Sequence, residues 1–329
     1  MPSGVALVRD REILDADPDV AERIAIGTAS WTDKSLVGSK RFYPKGCSSP
    51  EERLRYYASQ FPMVEVDSSY YALPSSTNSE KWVERTPDEF VFNIKAFRLF
   101  TGHQTPKAAL PKDIQVELGG HYAQHRNLYY KDTPPEIRDE LWRRYELAIR
   151  PLRESGKLAA VLFQFPAWVL PSERALDHID ECIERLSGYQ LATEFRRDLW
   201  FDESNRQSTL DYERKRGLVH VVVDAPPNQV KAVPAVWEVT NPSLAILRLH
   251  GRNVETWDDK DAQAASDRFN YDYSDAELQA LAPNIAALAE QALQVQVIFN
   301  NNYEDQGQRN AKTLEKIISG GVHKRPRRE

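Results

Sequence analysis

The 329-residue chain has 43 Lys and Arg against 49 Asp and Glu, a formal net charge of −6, which argues against a protein that coats nucleic acid through its overall field. Hydrophobic residues at 41% and charged residues at 28% describe an ordinary soluble protein, and no apolar run approaches the ~20 residues of a membrane span. Two distant cysteines, Cys47 and Cys182, support neither a disulfide framework nor a metal cluster, so the expected setting is the reducing cytoplasm.

Residues 1–23 form a polar extension with Asp10, Glu12, Asp15, Asp17, Asp19 and Glu22 and no apolar run like a secretion signal's. A strand over 24–31 follows, ending in Thr28, Ser30 and Trp31. Ser49 before Pro50 starts a helix with Leu54, Tyr57, Ala58 and Phe61 on one face. Strands over 63–71 and 90–97 flank a helix over 76–85. Beyond an insertion over 98–134, strands at 158–166, 190–197, 217–226, 244–252 and 295–303 alternate with helices at 135–154, 172–186, 204–216, 274–293 and 308–318. A basic tail, 320–329, carries Lys324, Arg325, Arg327 and Arg328; it reads as a solvated end and receives no function.

Eight strands, most followed by a helix, predict an α/β fold: a closed (β/α)8 TIM barrel over 24–319, with long insertions after the third and seventh strands. An open doubly wound sheet fits less well, because no Gly-x-Gly-x-x-Gly turn follows the first strand. The insertions, 98–134 and 251–273, should wall the barrel mouth; they hold His103, His121, Tyr122, His125, Tyr129, Tyr130, Trp257, Phe269, Tyr271 and Tyr273.

Barrel helices cover the outside of the sheet with apolar faces, so an ionisable residue late in a strand should point inward together with its i±2 partners. The inward set is then Thr28, Ser30, Glu65, Asp67, Asn93, Lys95, Gln164, Glu194, Arg196, Asp224, Arg248, His250 and Asn300. The outward set is Val64, Val66, Phe92, Ile94, Phe163, Phe165, Leu247, Leu249, Val297 and Phe299. Buried charges of both signs must pair with each other or with ligand, and barrel enzymes keep their sites at these strand ends.

The chain resembles the YecE-like family, a TIM-barrel domain of unknown function. The resemblance rests on Gly27-Thr28-Ala29-Ser30-Trp31, Phe42-Tyr43-Pro44, Val64 to Tyr71 with Pro74, Phe90-Val91-Phe92-Asn93-Ile94-Lys95, and Gln164-Phe165-Pro166. It continues in Glu194-Phe195-Arg196, Asp224, Arg248-Leu249-His250-Gly251-Arg252, Tyr271-Asp272-Tyr273-Ser274 and Phe299-Asn300-Asn301-Asn302. It implies the barrel and the pocket and no established reaction. Asp67 and Arg197 depart from it, standing where the family more often has asparagine and histidine.

The cations Arg248, Lys95 and Arg196, with Asn300 and Ser30 as hydrogen-bonding partners, suit an anionic group such as phosphate or carboxylate. The reading is an enzyme working by general acid/base chemistry on a phosphate-bearing small molecule or nucleic-acid-derived ligand. Glu194, His250 and Asp224 are its catalytic candidates. Ser30, Trp31, Asp67, Lys95, Gln164, Arg196, Arg248, Asn300 and Asn301 are its binding candidates. No metal site is assigned and no cofactor is required, although Asp67, Glu194 or Asp224 could hold magnesium. The alternatives are a non-catalytic barrel that binds nucleic acid or a metabolite, and a glycoside-processing enzyme using Glu194 and Asp224, with Trp31, Trp200 and Tyr71 stacking on sugar. His121 and His125 have helical spacing but lack a zincin's glutamate, and Lys95, among acids, is a poor Schiff base.

Overall fold

The structure, a computed structural model, describes residues 18–119, 126–226, 233–254 and 269–322. Residues 1–17 of the acidic extension, His121, Tyr122, His125, Trp257 and residues 323–329 of the basic tail lie outside the described residues.

Among the described residues ten strands occur in chain order: β1 (Ile24–Ala29), β2 (Met63–Val66), β3 (Val91–Lys95), β4 (Thr105–Pro106), β5 (Asn127–Leu128), β6 (Leu158–Phe165), β7 (Leu191–Phe195), β8 (Val219–Asp224), β9 (Ala245–Leu249) and β10 (Val295–Phe299). Eight close into an all-parallel barrel in the order β1-β10-β9-β8-β7-β6-β3-β2, so neighbours in the ring follow one another in the chain. The pair β4 and β5 is a separate antiparallel ribbon inside the first insertion.

The longer helices are α1 (Pro50–Gln60), α2 (Ser76–Glu84), α3 (Pro135–Glu154), α4 (Glu173–Arg185), α5 (Arg206–Arg216), α6 (Asp275–Ala289) and α7 (Gln306–Val322). Four of these starts, α1, α2, α4 and α6, follow from serine caps. Ser49 and Glu52 form a reciprocal capping box ahead of α1, and Ser274 and Glu277 form another ahead of α6. Among the described residues no helix is long and apolar enough to cross a membrane.

Alternation along the strands divides the core in two. Met63, Ala160, Leu162, Ala192, Val219, Val221, Val223, Ile246 and Ile298 fill the barrel, while Val64, Phe92, Phe163, Leu247, Val297 and their neighbours pack beneath the helices. At Gly27 a Cβ would lie 2.4 Å from the Met63 carbonyl oxygen, so only glycine fits between β1 and β2.

Three inward assignments are corrected: Asp224, Thr28 and, just beyond β1, Ser30. Val219, Val221 and Val223 fill the barrel, which puts Asp224 on the outer face with Val222. Ala29 faces in, which puts Thr28 outside, where its hydroxyl lies 2.8 Å from Tyr57 Oη. The reason is physical: β8 fills the barrel with valines and carries its polar residues, His220 and Asp224, on the outer face, where His220 bonds Glu213 at 3.0 Å, so an ionisable strand end does not point inward there.

The first insertion packs against the barrel flank. Leu99, Phe100, Leu110, Ile114, Leu118 and Leu128 are buried, and the Phe100 ring stacks on Trp142 of α3 with centroids 3.6 Å apart.

Candidate functional site

β9 leaves Arg248 pointing into the barrel just above the apolar filling, with no exposed surface. Its Nη2 donates to Glu65 Oε1 of β2 at 2.6 Å, and its Nη1 donates to Glu194 Oε2 of β7. Gln164 Oε1 of β6 lies 3.4 Å from Nη1. Such a buried ion triad persists only when its charges are matched and hydrogen-bonded. Burial opposes the charged guanidinium, but Glu194 and Glu65 hold its pKa above the ordinary arginine value.

The two carboxylates diverge. Burial pushes Glu65 up, and Arg248 and Lys95 do not offset it. Burial acts on Glu194 in the same sense, yet Arg196, Arg248 and His250 together bring it well below the usual carboxylate range. Neighbouring groups pushed apart in this way suit separate proton-holding and charge-holding roles. Glu65 Oε2 is buried without a hydrogen-bond partner.

Arg196, two residues on from Glu194, pairs with it through Nε, reaches Gln164 Oε1 at 3.2 Å through Nη2, and keeps its side chain 18% exposed. His250 Nδ1 is 2.8 Å from Asn300 Nδ2 and its Nε2 is 3.3 Å from Glu194 Oε1. Nε2 also lies 3.1 Å from Arg196 Nη2, so this nitrogen meets both a guanidinium donor and the Glu194 carboxylate. Burial, then Arg196, lowers the His250 pKa to about 3, so the ring is neutral.

Beside this group Lys95 Nζ pairs with Asp67 Oδ1 at 2.8 Å, with the two side chains 9% and 20% exposed. Burial would raise the Asp67 carboxyl, but the Lys95 ammonium draws it below its ordinary value. The Tyr70 ring lies 4.6 Å from Lys95 Nζ and 5.1 Å from the Arg98 guanidinium. His103 meets Tyr70 edge-on at 5.2 Å and Trp168 at 5.6 Å. Burial first, then Lys95, Arg98 and Arg196, lower His103 to about 3. Three cations therefore converge on one neutral ring, and among the described residues the Arg98 side chain makes no ion pair.

Asp67, Lys95, Gln164, Glu194, Arg196, Arg248, His250 and Asn300 thus come together at the C-terminal end of the strands. Other candidates do not join them. Asp224 is corrected to an outer-face latch: it accepts from Arg252 Nε at 3.0 Å and Nη2 at 2.7 Å and from the Tyr273 hydroxyl at 2.6 Å. Asn301 also faces away, donating to Tyr271 O and Asn310 Oδ1, both at 2.8 Å. Trp31 is a core residue, edge-on to Trp82 at 5.7 Å, and Trp200 is buried with its ring 4.0 Å from Phe195. Ser30 leaves the barrel register with φ of 78°, and its hydroxyl accepts from Thr32 N at 3.1 Å. Arg248 is also corrected as a grip on ligand, since its guanidinium is enclosed between two glutamates.

The reading of the residues gave Glu65 no role and overlooked Tyr70, Arg98 and Trp168. Arg98 lies three residues beyond inward-facing Lys95, in the first turn after the strand, where parity no longer applies. The donor set does not favour a metal: Asp67 and Glu194 face cations where an ion would sit, and among the described residues no group of three or more His, Cys, Asp or Glu is arranged to hold one.

A family model described as "Protein of unknown function DUF72" matches residues 25–328. The UPF0759 protein YunF of Bacillus subtilis is 30% identical over 297 residues, 90% of this chain and 94% of that protein. Crystal structures of DUF72 family proteins from Enterococcus faecalis and Thermotoga maritima align with TM-scores of 0.72 and 0.70, each at 26% identity. Both cover 90% of this chain, and 95% and 99% of their own.

Proposed function

The chain belongs to the DUF72 family of proteins of unknown function, and from that premise we propose an enzyme that binds an anionic, phosphate-bearing substrate at the barrel mouth and moves a proton there. The resemblance to the YecE-like family, on the same motifs, accords with the barrel and the pocket and supplies no reaction. The observation that carries the reading is that Lys95 and Arg98 both lie against the Tyr70 ring, 4.6 and 5.1 Å from its centroid, with Arg196 at the same end of the barrel, which gathers cations at the mouth of a chain of net charge −6. Asp67 is the open carboxylate that would accept and return a proton, with Lys95 and Arg196 stabilising charge on the substrate. Behind them Glu194, His250 and Arg248 position Arg196, and Glu65 lies within reach of the Lys95 charge.

A screen of phosphorylated small molecules and short oligonucleotides tests this. Turnover of one of them, falling ~10²-fold or more in Asp67→Asn, is the expected result. Absence of turnover, or turnover indifferent to Asp67→Asn and Lys95→Met, overturns it. One observation favours a second reading, a non-catalytic anion-binding barrel: Glu65, Glu194, Arg248 and His250 have no exposed surface. Phosphate binding without turnover of any screened compound would select it.

A further inference from the structure

A groove of about 880 Å³ runs beside the mouth, between residues 129–132 of the first insertion and the loop joining β6 to α4. It is outside the barrel interior and shares no ionisable residue with the site above. One wall is Trp168, 59% exposed, whose Nε1 donates to Gly102 O at 3.3 Å and whose ring meets His103 edge-to-face. A large aromatic residue pinned in solvent presents a rigid stacking face at little entropic cost.

The groove also holds Lys131, Arg138 and Arg174, none of which makes an ion pair among the described residues. Arg138 lies over the Tyr130 ring at 5.1 Å, and its Nε is buried without a hydrogen-bond partner. The Arg138 and Arg174 charges both reach His178, which faces the same space. Of the lining carboxylates, Glu181 is occupied by the Tyr130 hydroxyl at 2.6 Å and by Arg185 at 3.4 Å; Asp132 and Asp177 complete the acidic side.

We propose that this groove is a second ligand site, taking a planar aromatic anion of the nucleoside monophosphate class, with its ring on Trp168 and its phosphate toward Arg138 and Arg174. The volume lies within the range of small-molecule sites and is ample for a ring, a sugar and a phosphate. Stacking is indifferent to which base is offered, so the site selects the class and not one nucleotide.

Calorimetric titration of the full-length protein with AMP tests this. Saturable binding is expected, weakened ~tenfold in Trp168→Ala by loss of one stacking contact and weakened also in Arg174→Gln, with adenosine and inorganic phosphate each binding less well than AMP. Trp168 and Arg174 are both exposed, and unchanged melting curves would show that the variants fold. Because AMP also carries the phosphate that the mouth is proposed to bind, each titration is run as well in an Arg98→Met background, where binding in the groove should persist. In that background, no saturable binding up to about 10 mM, binding that survives Trp168→Ala, or binding of adenosine equal to that of AMP would each overturn the proposal.

Discussion

Arg248 and Glu65 meet at 2.6 Å although their strands, β9 and β2, stand three places apart in the eight-stranded ring, and neither side chain touches solvent. With Glu194 on the other side of the guanidinium, the contact ties opposite walls of the barrel together. Removing the cation strands two buried carboxylates. Arg248→Met should therefore cost about 3–5 kcal/mol, read as a lower urea midpoint at pH 7. A loss below about 1 kcal/mol would show that the triad is not holding the walls together.

The two carboxylates should not be equivalent. Glu194 is depressed in the folded state, so its stabilisation is present above its ordinary value of 4.5 and is lost as pH falls below it. Glu65 is raised, so its contribution is full below 4.5 and declines as pH rises through its folded value. At pH 7 Glu194→Gln should thus destabilise more than Glu65→Gln, and the gap should narrow toward pH 4. Equal losses at both pH values would contradict the assignment.

His103 and His250 are both held near 3 against an ordinary 6.5. Below pH 6.5 the unfolded chain takes up protons that the folded chain refuses, so stability falls by about 1.4 kcal/mol per pH unit for each histidine until the folded pKa is reached. In an NMR titration from pH 5 to 8 neither ring should show a midpoint. An inflection near 6.5 assigned to either residue would show that it lies outside the cationic cluster.

Asp224 holds the residues around 271–273 to the end of β8 through Arg252 and Tyr273. Asp224→Asn should cost about 1.5–3 kcal/mol, the worth of hydrogen bonds to a charged group, and leave phosphate affinity unchanged. A variant of wild-type stability with altered affinity would return Asp224 to the site.

The barrel was legible because alternation of strands and helices, caps such as Ser49-Pro50, and mixed polar strand ends are local signals. Parity was legible wherever a strand carries polar residues on one face, as in β2 with Glu65 and Asp67 or β7 with Glu194 and Arg196. It failed at Asp224 and Thr28, because both strands carry their polar residues on the outer face, where Asp224 meets Arg252 and Thr28 meets Tyr57. Spacing alone also could not show which cations are already spent. Arg248 and Lys95 read alike in sequence, yet one is enclosed by two carboxylates and the other shares one beside an open rim. Trp31 and Trp200, placed by their strand-end positions near the mouth, pack instead into the outer core, because the chain turns away from the axis directly after β1 and β7.

The central claim is that Lys95, Arg98 and Arg196 make the mouth a binding site for a phosphate-bearing anion, and a calorimetric titration with pyrophosphate against wild type and Arg98→Met tests it most directly. The account predicts saturable binding that weakens with added salt and falls about tenfold or more in the variant, as loss of a charged hydrogen-bond donor requires. Equal affinity in the two proteins, or no binding by wild type, would contradict it.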